Sequence, residues 1–264
     1  MLSLLSTRKA AAEAFTLFCT PIDKSVIKVP SVFQFAETVQ LKQQGCKING
    51  YRWNKGKPVK VLILHGFSSQ AYKFQHFVSP LVEKGYEVLA FDAKAHGSSE
   101  GKMVNAAEYC ELIEIVMKNY GPVNRFIAHS FGGIALSLAL EKTVHDENTK
   151  VVLIAPATET ATAVDTAFAM LKIKNKKVRS AFDEIIYQLS GQPTTWFSIR
   201  RAMKNIKASV LWIHDEDDDI TPLSDVIKVK DQHFPNIKFI ITKGLGHRRI
   251  YRDKEIIKQV VDFL

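Results

Sequence analysis

The stretch Ile127-Ala128-His129-Ser130-Phe131-Gly132-Gly133 decides the reading of this 264-residue chain. The run Val123–Ala128 leads into it with the composition of a strand, and a helical pattern leads out of it from Ile134. A serine at so sharp a strand-to-helix turn is forced into strained backbone geometry, so the residues two before and two after it must be small. Ala128 and Gly132 meet that need. A helix beginning at Phe131 turns its free backbone N–H groups toward the same point, where they stabilise an anion. Ser130 is therefore the candidate nucleophile, and the Phe131 N–H a candidate oxyanion donor.

Short apolar runs alternate with longer helical patterns on either side of this turn. The runs are Val59–Leu64, Tyr86–Phe91, Val123–Ala128, Lys150–Ala155, Ser209–Ile213 and Ile237–Thr242. Helical patterns fill Gln70–Lys84, Ala106–Asn119, Ile134–Glu141, Leu223–Phe234 and Asp253–Leu264. This order predicts an α/β fold with a mostly parallel central sheet and helices on both faces. Continuously apolar strands such as Val61-Leu62-Ile63-Leu64 fit burial on both sides. Glu37–Lys42 and Lys47–Trp53, around Gln44-Gly45, predict an antiparallel start to the sheet.

Two segments stand outside the alternation. Residues 3–18 predict an amphipathic helix with Leu4, Ala11, Phe15 and Phe18 on one side, packed against the main domain. About fifty residues, Thr158 to Ala208, separate two strand runs, which is too long for an ordinary connection. Helices are expected there at Ala161–Lys172, Ser180–Leu189 and Thr195–Ile206, forming a lid. The expected organisation is an N-terminal extension over residues 1–36, a core over 37–157 and 209–264, and an inserted helical lid over 158–208.

With these motifs in view, the chain resembles the α/β-hydrolase-fold serine hydrolases, of the lidded bacterial esterase and lipase type. His65-Gly66-Phe67, after the strand run Val59–Leu64, is similar to the family's oxyanion motif. Phe91-Asp92 followed by His96-Gly97-Ser98 resembles its next strand end. Ala128 takes the place of the first glycine in the family's G-x-S-x-G turn. The resemblance covers about residues 37–264, least closely over the lid, and implies that the Phe67 N–H joins that of Phe131 as an oxyanion donor.

A serine hydroxyl needs a base to take its proton and a third group to hold that base. Of the eight histidines, His65 and His129 belong to the turns already described. His76, His145 and His233 lie in or beside helical stretches. His247 follows the last strand run and precedes the last helix, in the kind of loop where such sheets place their active groups. It is the candidate base. The loop after Ser209–Ile213, His214-Asp215-Glu216-Asp217-Asp218-Asp219-Ile220-Thr221-Pro222, offers five carboxylates that composition cannot separate. The resemblance selects Asp218, with Asp215 where the family has glycine; Asp217, Asp219 and the more distant Glu159 are the alternatives.

The resemblance implies cleavage of a carboxylic ester or thioester through an acyl-enzyme on Ser130, with His247 as base and Asp218 as orienting acid. Amide or peptide hydrolysis uses the same groups, and a non-catalytic binding protein of this fold is the contrasting reading. Phe168, Met170, Trp196 and Phe197 of the lid are candidate walls of an apolar substrate pocket. The acidic run lacks calcium-loop spacing, so neither a metal nor another cofactor is expected.

Composition narrows the rest. With 46% hydrophobic and 24% charged residues, the chain has the material for a packed core, which excludes disorder and low complexity. Net charge is +9, and from Thr166 to Lys207 nine basic residues face two acidic ones, Asp183 and Glu184. That excess carries no nucleic-acid-binding signature, and no nucleic-acid partner is expected. The expected partner is a small acyl ester, lipid-like, or anionic if the basic residues of the lid face the pocket. Cys19, Cys46 and Cys110 are irregularly spaced, which fits a reducing, cytoplasmic setting. No run is long and apolar enough for a membrane span, and the apolar start is too short for a signal segment.

Overall fold

The computed structural model describes residues 6–22 and 28–264. Among them, eight strands form one sheet: β1 (Glu37–Gln43), β2 (Cys46–Trp53), β3 (Lys60–Leu64), β4 (Glu87–Phe91), β5 (Arg125–His129), β6 (Lys150–Ile154), β7 (Ser209–Asp215) and β8 (Ile237–Thr242). Their order is β1-β2-β4-β3-β5-β6-β7-β8. β1 pairs antiparallel with β2, and β2 antiparallel with β4; every pairing from β4 to β8 is parallel.

Side-chain alternation explains why the central strands carry apolar residues on both faces. Val61, Ile63, Ile127 and Val152 enter one core, while Leu62, Leu64, Phe126 and Ala128 enter the other. The ten helices among the described residues are α1 (Thr7–Cys19), α2 (Gln75–Glu83), α3 (Ala106–Tyr120), α4 (Phe131–Leu140), α5 (Thr160–Met170), α6 (Lys176–Ser190), α7 (Ile199–Ala202), α8 (Leu223–Lys230), α9 (Gly246–Arg249) and α10 (Lys254–Phe263). Phe77 and Leu81 of α2, with Ile256 and Val260 of α10, cover the first core. Leu112 of α3, Ile134 of α4 and Val226 of α8 cover the second. The α/β expectation is therefore met on both faces.

Side-chain caps set the helix starts, at the expected residue in α3 and away from it in α6. α3 starts at Ala106 because Asn105 and Glu108 form a reciprocal capping box. α6 starts at Lys176, before the expected Ser180, because the Asn175 side chain accepts from the Lys177 N–H. The expected helix Thr195–Ile206 is broken into a 3₁₀ turn (Thr194–Trp196), α7 and a second 3₁₀ turn (Met203–Asn205). Ser198 caps α7 through the Arg201 N–H and pairs with Glu159 in an isolated bridge, which holds the chain extended between those turns. The N-terminal helix runs from Thr7, capped by Ser6; Leu4 lies outside the described residues.

α1 does more than pack on the core. It lies against α6, where the rings of Phe15 and Phe18 meet buried Phe182 at 5.6 and 5.7 Å. None of the helices among the described residues is long and apolar enough to cross a membrane.

Candidate active site

The carboxyl ends of β3, β5, β7 and β8 bring four loops to one edge of the sheet. β5 ends at His129, and Ser130 turns the chain into α4 at φ 52° and ψ −118°. That left-handed backbone is the strained turn the sequence predicts, and it lifts the hydroxyl out of both strand and helix. Close packing beneath it requires glycine. A Cβ at Gly132 would sit 2.8 Å from the His65 carbonyl oxygen, and one at Gly66 would sit 3.0 Å from Ser130 Cβ. Gly66 therefore lets the peptide leading to Phe67 approach the serine. The Phe131 N–H, in the first turn of α4, has no carbonyl four residues back in the helix to bond.

Ser130 Oγ lies 3.0 Å from His247 Nε2, and His247 Nδ1 lies 2.8 Å from Asp218 Oδ2. The structure thus brings together three side chains the sequence spreads over more than a hundred positions. Asp218 is fully enclosed and accepts four hydrogen bonds. Oδ1 takes the N–H groups of Ile220 and Thr221 at 2.9 and 2.8 Å, while Oδ2 takes His247 and the Thr221 hydroxyl, the latter at 2.8 Å. Burial alone would raise its pKa; the hydrogen bond and charge of His247 and the two loop N–H groups outweigh it and hold the carboxyl at about 2. Asp218 is therefore an anion, and as acceptor it fixes the proton of His247 on Nδ1, leaving Nε2 to accept from the serine.

The alternatives for the acid are engaged elsewhere. Glu159 holds Arg200 at 3.0 Å, and Asp217 Oδ2 accepts the Gly244 N–H at 2.9 Å. Asp219 is exposed.

Asp215 has a role that its reading as a glycine substitute misses. Its carboxylate is buried and accepts from Asp217 N–H and Gly246 N–H through Oδ1, at 3.0 and 2.9 Å. Oδ2 accepts from the Thr242 hydroxyl at 2.7 Å and Leu245 N–H at 3.0 Å. One side chain therefore ties the loop bearing Asp218 to the residues just before His247. Burial pushes its pKa up, but the bonds from Thr242, Gly246, Leu245 and Asp217 prevail and leave it lowered. Asp215→Asn places an amide N–H₂ against these donors. Turnover is expected to fall about 10–100-fold with KM little changed, as misplacement of the imidazole by less than an ångström predicts. Steady-state kinetics check it; a kcat equal to that of the unmodified protein would contradict it.

His129 supports the base from beneath. Its Nε2–H donates to the His247 carbonyl oxygen at 3.0 Å, and the two rings lie 4.7 Å apart. His65 donates from Nδ1 to the Gly66 carbonyl at 2.8 Å and accepts the Ala93 N–H on Nε2 at 2.9 Å, bracing the turn before Phe67. Both histidines are buried and neutral. Burial lowers the pKa of His65 from 6.5 to about 4, and burial with the neighbouring His247 lowers that of His129 to about 3.

These shifts set a direction for acid stability. Below pH 6.5 the unfolded chain protonates these imidazoles while the folded chain does not, so unfolding binds protons and stability falls as pH drops. Each group removes about 3 kcal/mol by pH 4. Asp218 acts with the same sign only below its unfolded value of 3.8. Asp92, whose carboxyl pKa burial raises, acts with the opposite sign but is one group against two, so the histidines set the direction from 6.5 to 4. Urea unfolding at pH 7 and pH 4 is expected to show a loss of several kcal/mol; equal stabilities at the two values would contradict the buried neutral assignment.

A cavity of about 260 Å³ opens beside Ser130. Phe67, Phe131 and Phe197 line it, and the first two rings meet edge to face at 5.5 Å. Three of the four expected wall residues do not line it. Phe168 packs behind, edge-on to Phe182 at 5.2 Å, and Trp196 is covered by the Arg201 guanidinium 3.8 Å from its ring centroid. Met170 is 67% exposed. In place of these side chains, Phe15, Phe18 and Cys19 of α1 form part of the wall. Burial pushes the Cys19 thiol up to about 12, so it is a small apolar lining group.

None of the basic residues of the 158–208 segment lines this cavity. Arg179 pairs with Asp165 and Asp183, Arg200 with Glu159, and Arg201 with Glu141 through two bonds of 2.6 Å. Lys172, Lys174, Lys176 and Lys177 are exposed. Among the described residues, no group of three or more His, Cys, Asp or Glu side chains is placed to hold a metal ion.

The model of the family described as Hydrolase_4, serine aminopeptidase S33, matches residues 57–194. The fold is similar to that of a Pyrococcus furiosus esterase, at 20% identity over 93% of this chain and 97% of that one, with a TM-score of 0.69. It is also similar to mouse alpha/beta hydrolase domain-containing protein 10, at 17% identity over 86% of this chain and 96% of that one, with a TM-score of 0.62. At these identities the likeness is one of fold. An abhydrolase domain-containing protein of Dictyostelium discoideum is 33% identical over 100 residues, which span 34% of this chain and 10% of that protein. The aligned region thus covers about a tenth of that relative's length.

Proposed function

The chain belongs to the Hydrolase_4 family, a family of α/β-hydrolase-fold serine hydrolases, and from that premise we propose that it hydrolyses carboxylic esters through an acyl-enzyme on Ser130. The observation that carries this reading is the line of two short hydrogen bonds, Ser130 to His247 at 3.0 Å and His247 to Asp218 at 2.8 Å, raised on a strained turn.

Ser130 Oγ attacks the ester carbonyl carbon while His247 Nε2 takes its proton, and Asp218 stabilises the imidazolium. The carbonyl electrons move onto oxygen, where the N–H groups of Phe67 and Phe131 receive the negative charge. The intermediate collapses, the carbon–oxygen bond to the alcohol breaks, and His247 returns the proton to the departing oxygen. Water then attacks the acyl-enzyme with His247 as base, releasing the acid and restoring Ser130. Segment 158–208 serves with α1 as the cover over the serine.

The family description favours a second reading, release of an N-terminal residue from a peptide. Such a substrate presents a free ammonium group close to the scissile carbonyl, and a carboxylate in the pocket would receive it. Among the described residues, the cavity lining has no charged side chain, which supports the ester reading. Turnover of p-nitrophenyl butyrate and alanine p-nitroanilide separates the two. A kcat/KM for the ester at least 100-fold above that for the anilide is expected; preference for the anilide would overturn the ester assignment.

A further inference from the structure

We propose that the cavity beside Ser130 is an acyl subsite for an uncharged straight carbon chain, and that α1 supplies the wall that sets its size. This inference rests on the ester reading of Ser130. An engineered cavity of about 150 Å³ holds benzene, six carbon atoms. Scaled to about 260 Å³, the space beside Ser130 takes a chain on the order of ten carbons.

The lining fits such a chain chemically. Phe15, Phe18, Val104, Ile134, Ile186 and Phe197 give it an apolar surface, and among the described residues no lysine or arginine enters it. The insert's three arginines are held by carboxylates, and its exposed lysines lie outside the lining. A carboxylate at the chain's far end would therefore enter without a partner, at a cost that excludes it.

The α1 wall is built rather than incidental. Both of its rings are backed by Phe182, which is fully buried, and the Cys19 carbonyl accepts the Val104 N–H at 2.9 Å. α1 is thus fastened to α6 on one side and to the segment before α3 on the other. The substrate space lies between a helix near one end of the sequence and a serine in its middle.

The test is a series of p-nitrophenyl esters from two to sixteen acyl carbons. Each methylene that leaves water for an apolar wall is worth about fourfold in kcat/KM. The expected profile rises through the medium-length chains and falls at least tenfold by sixteen carbons. Phe15→Ala removes a wall ring and is expected to raise the twelve-to-four-carbon ratio of kcat/KM at least fivefold. Ala163→Phe, on α5, pushes a ring into the same space and is expected to lower that ratio at least tenfold. The opposite signs keep the test valid if one variant does not fold.

A flat chain-length profile, or an unmoved ratio in the folded variants, would overturn the inference, as would equal turnover of a chain ending in a carboxylate. Reaction of Ser130 with a fluorophosphonate distinguishes the failures. A protein that labels yet shows a flat profile keeps the ester reading and loses the acyl wall; one that neither labels nor turns over any ester loses both.

Discussion

Replacing Ser130 with alanine is expected to lower kcat on p-nitrophenyl butyrate by about 10⁶-fold, the loss that follows removal of a serine nucleophile whose base and acid remain in place. Alanine keeps the Cβ that the turn already accommodates at φ 52°, so the strained backbone is unchanged. Only the hydroxyl 3.0 Å from His247 Nε2 is lost. One hydrogen bond of this kind contributes about 1 kcal/mol to stability, so unfolding by urea should be nearly unaltered. Substantial residual turnover in a folded Ser130→Ala protein would show that another group carries the reaction.

Asp218→Asn comes next, with an expected loss in kcat of about 10⁴-fold. The arrangement of the loop explains why so conservative a change costs so much. Asparagine oxygen can still accept from the Ile220 and Thr221 N–H groups, as Oδ1 does now. Its amide N–H₂ then faces His247 Nδ1 and the Thr221 hydroxyl, which both now donate to Oδ2. The imidazole must turn its lone pair toward that amide and carry its proton on Nε2, where it cannot take the serine's. The charge that stabilises the imidazolium is lost as well. KM should move far less than kcat, and Asp217→Asn, whose carboxylate bonds the Gly244 N–H, should cost far less. Equal losses in the two variants would contradict the assignment of the orienting acid to Asp218.

Much of this arrangement is legible in the sequence because it follows from local rules. The strand-turn-helix around Ser130 is readable from Ala128 and Gly132, the two small residues that the turn needs. His247 is readable from its place after the last strand. The parallel sheet follows from the alternation of apolar runs and helices. What escapes local reading depends on contacts between distant segments. Asp215 looks like one more acid in an acidic run, and only the pairing of β7 with β8, which sets it opposite Thr242, gives its carboxylate two loops to hold.

α1 is equally hidden. Its amphipathic pattern predicts packing, but nothing in its spacing says that Phe15 and Phe18 wall the cavity beside Ser130. Conversely, Phe168 and Trp196 have the composition of a substrate wall, yet α5 and Arg201 place them in contacts away from it. An aromatic residue in an insertion satisfies the core and a pocket equally well, so its composition alone does not choose between them.

The central claim is that the hydroxyl of Ser130 is an activated nucleophile. The most direct measurement is intact mass of the protein after treatment with an active-site-directed fluorophosphonate, followed by peptide mapping. A single phosphonyl adduct on Ser130, absent in Ser130→Ala and formed far more slowly in His247→Ala, is the predicted result. An unmodified protein under conditions that label a control serine hydrolase, or an adduct on any other residue, would contradict it.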